Sequence, residues 1–368
     1  MKKIQQFEPN LGEEEKKELL SVIDSGWYTE SKKTREFENN FANFVGRKYA
    51  VATTSGTVAL CIAIQGLGLK KEDEVIIPDL TFVASPNSVI LAGSKVSLVD
   101  IQKDNLCLDI EKTKQNVSDK TKAIMPVDFN GRAPNLISLK EFAEKSDLFI
   151  IEDSCHGIGS FYGGKHTGCY SDVGIFSFST PKIITTGQGG MLVTDNKELY
   201  EKFRMIKDFG RDVDKKHQME NAFDHVEMGY NFKFTEFQAA IGIAQMKKLP
   251  KRIEHNKKMF QLYRENLASI PEIEFVDLDL KMSVPWFVDI LLPDKKIRQG
   301  LVEHLKQSGI GTRKFYPPIH KLSPYQNTDG DFKNTDEASE RGLWLPSSSF
   351  LIDEEILRVC DAIKNFLN

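Results

Sequence analysis

Short, mainly apolar runs recur along the first half of the chain, at Tyr49–Thr53, Val75–Ile77, Lys95–Val99, Ala123–Val127, Leu148–Ile151, Val173–Phe178 and Met191–Thr194, with helical periodicity between them. Runs without alternating polar positions predict strands covered on both faces, and strand–helix alternation predicts an α/β fold with a mostly parallel sheet between helices. In such a sheet ligands gather beyond the carboxyl ends of the strands. From Thr235 a helical pattern runs through Glu236–Leu249, meets Pro250 and resumes to about Leu267, which predicts a kinked helix linking two domains. Beyond it come a strand (Phe287–Leu292), an amphipathic helix (Ile297–Gln307), a strand near Ile310–Phe315 and a terminal helix from Asp353. The expected division is a large α/β domain over 1–245 and a smaller α+β domain over 246–368. A length of 368 residues, beyond that at which a single core stops growing, fits two domains.

Composition narrows the function more than the fold. With 40% hydrophobic and 28% charged residues the chain is an ordinary globular protein. A net charge of −4 and a pI near 6.1 give no global attraction to nucleic acid or an acidic membrane, so any anion must be bound locally. The five cysteines have no C-x-x-C spacing, which argues against a zinc site or a disulfide framework and fits a reducing cytoplasm. No stretch reaches the ~18 apolar residues of a membrane span, and the basic start lacks the apolar run of an export signal.

Three candidate groups lie at predicted strand ends. Thr53-Thr54-Ser55-Gly56-Thr57 ends the first strand and opens a helix, where free N–H groups and the helix dipole suit a phosphate; taken alone, an ordinary Ser/Thr N-cap is the commoner explanation. Glu152-Asp153 ends another strand, with His156 three residues on. A lone acid there serves as a turn residue, but against a pyridine nitrogen it would keep that nitrogen protonated. The third is Phe176-Ser177-Phe178-Ser179-Thr180-Pro181-Lys182, followed by Gly187-Gln188-Gly189-Gly190. Lysine in a small, apolar loop loses solvation, and its neutral amine becomes a nucleophile toward an aldehyde. Phosphate turn, ring acid and amine, in this order, are the three grips pyridoxal phosphate requires.

On these residues the chain resembles the DegT-type sugar aminotransferases, a branch of the aspartate-aminotransferase-like, fold-type I pyridoxal enzymes. The S-F-x-x-x-K and G-x-G-G spacing carries the resemblance, which extends from Gly26-Trp27-Tyr28-Thr29 to Leu345-Pro346-Ser347-Ser348. It implies a large domain with a seven-stranded-type sheet, Lys182 as the Schiff-base lysine, Asp153 on the pyridine nitrogen, and Gly56, Thr57 and Ser177 on the phosphate. It further implies Phe82 stacked on the ring and His156 near the phenolic oxygen. Gly229-Tyr230-Asn231-Phe232-Lys233 resembles the segment whose Asn reaches the neighbouring subunit's phosphate, which implies a homodimer with shared sites. Lys233 stands where Arg is usual and Gln188 where Glu or Asp is usual, and lysine cannot reproduce a bidentate fork. Arg313 and His320, in Gly311-Thr312-Arg313-Lys314-Phe315-Tyr316-Pro317-Pro318-Ile319-His320, match the loop near the nucleotide-sugar and are similar to perosamine-synthase-type members.

The implied reaction moves an amino group from an amino acid, by family habit glutamate, through the PLP and PMP forms of the cofactor to a nucleotide-linked 4-keto-6-deoxyhexose. Amination at C3 is the nearest alternative. Sugar dehydration is disfavoured because related dehydratases carry His at the lysine position. A nicotinamide-dependent oxidoreductase is disfavoured because Gly187-Gln188-Gly189-Gly190 lacks G-x-G-x-x-G spacing and does not open the first βα unit. A non-catalytic binding protein is the remaining alternative, against which stands the retention of all three grips.

Overall fold

The computed structural model describes residues 2–212, 224–326 and 328–367. After two helices, Glu13–Ser25 and Lys32–Val45, the chain lays down β1 (Tyr49–Thr53), β2 (Glu74–Pro78), β3 (Lys95–Val99), β4 (Thr121–Ile124) and β5 (Phe149–Asp153). A small hairpin of β6 (Phe161–Tyr162) and β7 (Lys165–His166) precedes β8 (Val173–Ser177) and β9 (Gly190–Thr194). Seven of these form one sheet in the order β1-β9-β8-β5-β4-β2-β3. The pairs from β3 to β8 are parallel, whereas β9 is antiparallel to both neighbours, setting Ser177 opposite Gly190 and Tyr49 opposite Thr194. Six strands therefore point one way, and the ends of β1, β2, β4, β5 and β8 open on one edge. The apolar runs are strands because both faces are covered: β8 and β9 are buried along their whole length.

Helix Lys32–Val45 explains much of this burial. Its Phe37 and Phe41 are wholly buried and meet Phe178 edge-on at 5.1 and 5.2 Å, and Phe41 meets Phe176 at 4.9 Å. Burying each ring is worth about 1.5–3 kcal/mol, with a further increment from edge-to-face geometry. This aromatic wall backs the loop between β8 and β9.

The 32-residue helix Glu236–Leu267 starts at a capping box, in which Gln238 N–H donates to Thr235 Oγ (3.2 Å) and Thr235 N–H to Gln238 Oε1 (3.1 Å). It runs through Pro250 as one element rather than stopping and resuming. Beyond it, β10 (Asp289–Leu291), β11 (Arg313–Lys314) and β12 (Gly342–Trp344) form a three-stranded antiparallel sheet in the order β10-β12-β11. These strands and helices Lys295–Gln307 and Asp353–Leu367 enclose a second core around Val288, Ile290, Leu305, Leu343 and Val359. The strand expected over 310–315 shrinks to two residues because the start of that run is held by the N-terminal segment: Gly311 N–H donates to Ile4 O at 2.8 Å. The two sheets are joined by a buried, bidentate pair, Arg132 to both oxygens of Asp289 at 2.7 and 2.9 Å. No helix among the described residues is long and apolar enough to cross a membrane.

Candidate active site

The strand ends open into a cleft of about 320 Å³. Its phosphate-sized corner is built by the turn after β1. Ser55 caps helix Gly56–Gly66 by accepting the Val58 N–H at 3.2 Å, which leaves the Gly56 and Thr57 N–H groups without an intrahelical acceptor at the positive end of the helix. Crowding requires glycine at Gly190 and leaves little room for a side chain at Gly56. A Cβ on Gly56 would lie 3.0 Å from the Ser177 Cβ, and one on Gly190 would meet Ser55 O at 2.3 Å. Ser177 closes the corner from the end of β8, and Ser179, two residues on, lines the same cavity.

Asp153, at the end of β5, forms the floor. Its Oδ2 accepts the Ser85 hydroxyl at 2.8 Å and its Oδ1 the Cys155 N–H at 3.2 Å, so the carboxylate is held by two donors. Ser85 is within 2.8 Å of Thr81 Oγ, which ties Asp153 to the segment after β2 that carries Phe82. Phe82 is 51% exposed on the cleft wall and so is not packed as a core phenylalanine. Behind the floor, the fully buried Asp128 carboxyl is pushed well above the usual carboxylate range by burial and by the charges of Glu152 and Asp153.

Lys182 lines the same cleft. The loop that carries it doubles back on itself: Phe178 N–H donates to Gly189 O and Thr186 N–H to Phe178 O, each at 2.9 Å. Burial lowers the amine below the ordinary lysine range, and the neighbouring Cys155 and Asp153 oppose that shift. The amine lies 4.4 Å from the centre of the Trp286 ring, while Trp286 Nε1–H donates to Pro181 O at 2.6 Å and fixes the peptide just before the lysine. On the same indole, His156 stacks at 3.9 Å. Its Nδ1 accepts the backbone N–H of Asn130 at 3.3 Å, which assigns the proton of the neutral imidazole to Nε2. Burial first, then the Lys182 charge, holds His156 well below its usual range, so the neutral form prevails. Asn130 adopts φ 56°, a left-handed conformation that asparagine tolerates, and its side chain pairs with both main-chain groups of Phe287 at 2.8 Å.

The roof is contributed by the short β11 segment, from which Arg313 and Tyr316 line the cleft and Tyr316 meets Phe82 at 5.4 Å. The cleft thus gathers Gly56, Thr57, Phe82, Asp153, His156, Ser177, Lys182 and Arg313 from the sequence expectations. Two expected residues lie elsewhere. Asn231 is exposed, away from this chain's cleft, and bridges Asp208. His320 does not line the cleft; its Nδ1 lies 2.7 Å from Asp79 Oδ2. Residues not anticipated are Trp286, Tyr316, Ser179 and Gln188. Ser179 lies two residues beyond the end of β8, within the same short segment as Ser177, whose hydroxyl donates to Ser179 Oγ at 3.3 Å; Trp286 has no such local signal.

A sequence model of the DegT/DnrJ/EryC1/StrS aminotransferase family matches residues 9–364. The GDP-perosamine synthase of Vibrio cholerae is 34% identical over 368 residues, covering 98% of each chain. Among solved structures, PseC of Helicobacter pylori, an aminotransferase of pseudoaminic acid biosynthesis, superposes with a TM-score of 0.93 at 26% identity, covering 100% of this chain and 99% of its own. A GDP-4-keto-6-deoxy-D-mannose-3-dehydratase of Escherichia coli, solved with hydrated PLP, gives 0.92 at 26% identity, covering 99% and 100%.

Proposed function

The chain belongs to the DegT/DnrJ/EryC1/StrS aminotransferase family and is a pyridoxal-phosphate-dependent sugar aminotransferase; from that premise we propose that it transfers an amino group from glutamate to C4 of a nucleotide-linked 4-keto-6-deoxyhexose.

The residues present fit the cofactor at each of its grips. Crowding at Gly56 and Gly190 makes a cradle closed to side chains but lined with N–H donors, and the Gly56 and Thr57 N–H groups with the Ser177 hydroxyl would hold the phosphate. Asp153 would face the ring nitrogen, Phe82 the ring, and the His156 Nε2–H the phenolic oxygen. Lys182 Nζ would bond the aldehyde carbon. Asn231, exposed here, would reach the phosphate of a second copy in a homodimer. When bound, pyridoxal phosphate supplies an electron-accepting ring that stabilises charge at the reacting carbon.

The protein's own work is positioning and proton transfer. Burial lowers the Lys182 amine and so raises the share of free base able to take the proton from the α-carbon of the amino acid. In the second half-reaction the same amine returns a proton to the sugar carbon that receives the nitrogen. The carboxylate of Asp153, held by Ser85 and the Cys155 N–H, favours a protonated ring nitrogen throughout. Arg313, on the roof, presents a planar fork suited to the diphosphate of the nucleotide.

The observation that carries this reading is a desolvated lysine facing a doubly held carboxylate across a cleft whose mouth bears an arginine. Incubation with glutamate and a panel of GDP-, UDP- and dTDP-linked 4-keto-6-deoxy sugars tests it. Release of 2-oxoglutarate with one of them, and NMR placing nitrogen at C4, is expected. Nitrogen at C3 would reassign the regiochemistry, and no keto-acid release on any of them would favour a binding role.

A further inference from the structure

His320 is expected at the substrate, yet its ring is occupied on three sides outside the cleft. Nδ1 lies 2.7 Å from Asp79 Oδ2, Nε2 faces Asp336 at 3.7 Å, and the ring stacks on Phe332 at 4.7 Å. Asp79 directly follows β2 and is wholly buried. Its other oxygen accepts the His320 backbone N–H at 2.8 Å, and its carbonyl accepts the Ile319 N–H at 3.1 Å. One aspartate at the ligand edge of the sheet thus takes three hydrogen bonds from the far end of the roof.

We propose that His320 is a positioning residue: through Asp79 it latches the roof segment 313–320 to the floor, and so sets where the diphosphate of a sugar nucleotide sits relative to Lys182. The proposal rests on the reading of Arg313 given above.

The path on each side of the latch is short and stiff. Toward the roof, Pro317 and Pro318 restrict the backbone between His320 and Tyr316, so the placement of one is transmitted to the other. At its opposite end the roof is held by the two-residue strand β11 against β12, by Phe315 N–H to Gly342 O at 3.3 Å and by the Ser339 hydroxyl, which donates to Tyr316 O at 2.8 Å. Toward the floor, Asp79 lies two residues before Thr81, whose hydroxyl contacts Ser85, the donor to Asp153. It lies three residues before Phe82, which meets Tyr316 at 5.4 Å. The latch therefore joins the roof to the same segment that supports the ring acid and the stacking aromatic. Beyond His320 the chain has independent anchors, Tyr325 Oη to Asn87 Oδ1 at 2.6 Å and Thr335 to Asp100, so loss of the imidazole, which removes one of the three bonds to Asp79, should loosen the roof and leave those anchors docked.

The test uses the full chain loaded with pyridoxal phosphate, carrying His320→Ala or His320→Asn, with the two half-reactions followed separately and hydrogen exchange measured over the roof. His320→Ala is expected to raise KM for the sugar nucleotide roughly tenfold or more, the effect of losing a hydrogen bond to a buried charged group. The glutamate half-reaction should stay within about twofold, and exchange over 313–318 should quicken. His320→Asn, whose amide N–H can replace Nδ1–H, should restore most of the KM. Equal losses in both half-reactions would overturn the proposal, as would an unchanged KM in both variants. Arg313→Ala, measured alongside, separates the two readings. If it leaves KM unaltered, the assignment of Arg313 fails by itself, and the latch then stands or falls on whether exchange over the roof quickens in His320→Ala.

Discussion

The floor and the roof of the cleft are built by different means. The floor groups, Gly56, Asp153 and Ser177, stand on or directly beside the ends of long, buried strands, and each is fixed by main-chain geometry or by two donors. The roof groups, Arg313 and Tyr316, hang from a two-residue strand whose residues are exposed, and are located by contacts made far along the chain. A cofactor that stays in place through both half-reactions is matched by the rigid region. The substrate, which must enter and leave, is matched by the one hung from a short, exposed strand.

If the floor does chemistry and the roof does recognition, substitutions should separate cleanly. Asp153→Asn removes the charge that keeps the ring nitrogen protonated while preserving shape, and should cost about 10²–10³-fold in the rate of both half-reactions, the scale of losing one electrostatic stabiliser. Stopped-flow spectra with glutamate alone would check it; a loss confined to the sugar half would erase the distinction between floor and roof. Arg313→Ala should instead raise KM for the sugar nucleotide by about 10–100-fold, as for hydrogen bonds to charged groups, with the glutamate half-reaction preserved. The smallest effect is expected behind the floor. Asp128, its carboxyl raised well above the usual range by burial, is biased toward the neutral acid that an amide mimics, so Asp128→Asn should change turnover by less than about threefold. The folded state holds that proton more tightly than the unfolded chain does. Asp128 therefore contributes stability at acid pH that is lost as pH rises from the ordinary carboxylate range through its raised value. The Asn variant should show a flatter stability–pH profile over that interval, measured by denaturant unfolding.

The same contrast governs how much is legible in the sequence. Tyr49–Thr53 and Lys95–Val99 are legible as strands to the residue because each is a short, mainly apolar run, although only the first is buried over nearly its whole length. Ser177 and Lys182 are legible because one short segment carries the spacing, and the loop between β8 and β9 brings both to the cleft. The reversed direction of β9 is not, since an apolar run has no polarity. Trp286 is invisible locally: it meets Lys182 across more than a hundred residues, through Asn130 and Phe287 pairing and the Pro181 carbonyl. His320 shows the opposite failure. Its segment resembles a substrate loop, but the imidazole is claimed by Asp79, a buried carboxylate 241 positions away, and only the folded chain brings the two together.

The central claim is that the amine at position 182 bonds the cofactor's aldehyde carbon, and trapping that bond tests it most directly. Borohydride reduction of the loaded protein followed by peptide mapping is expected to place a single phosphopyridoxyl group on Lys182. A label on another lysine, or none, would contradict the account.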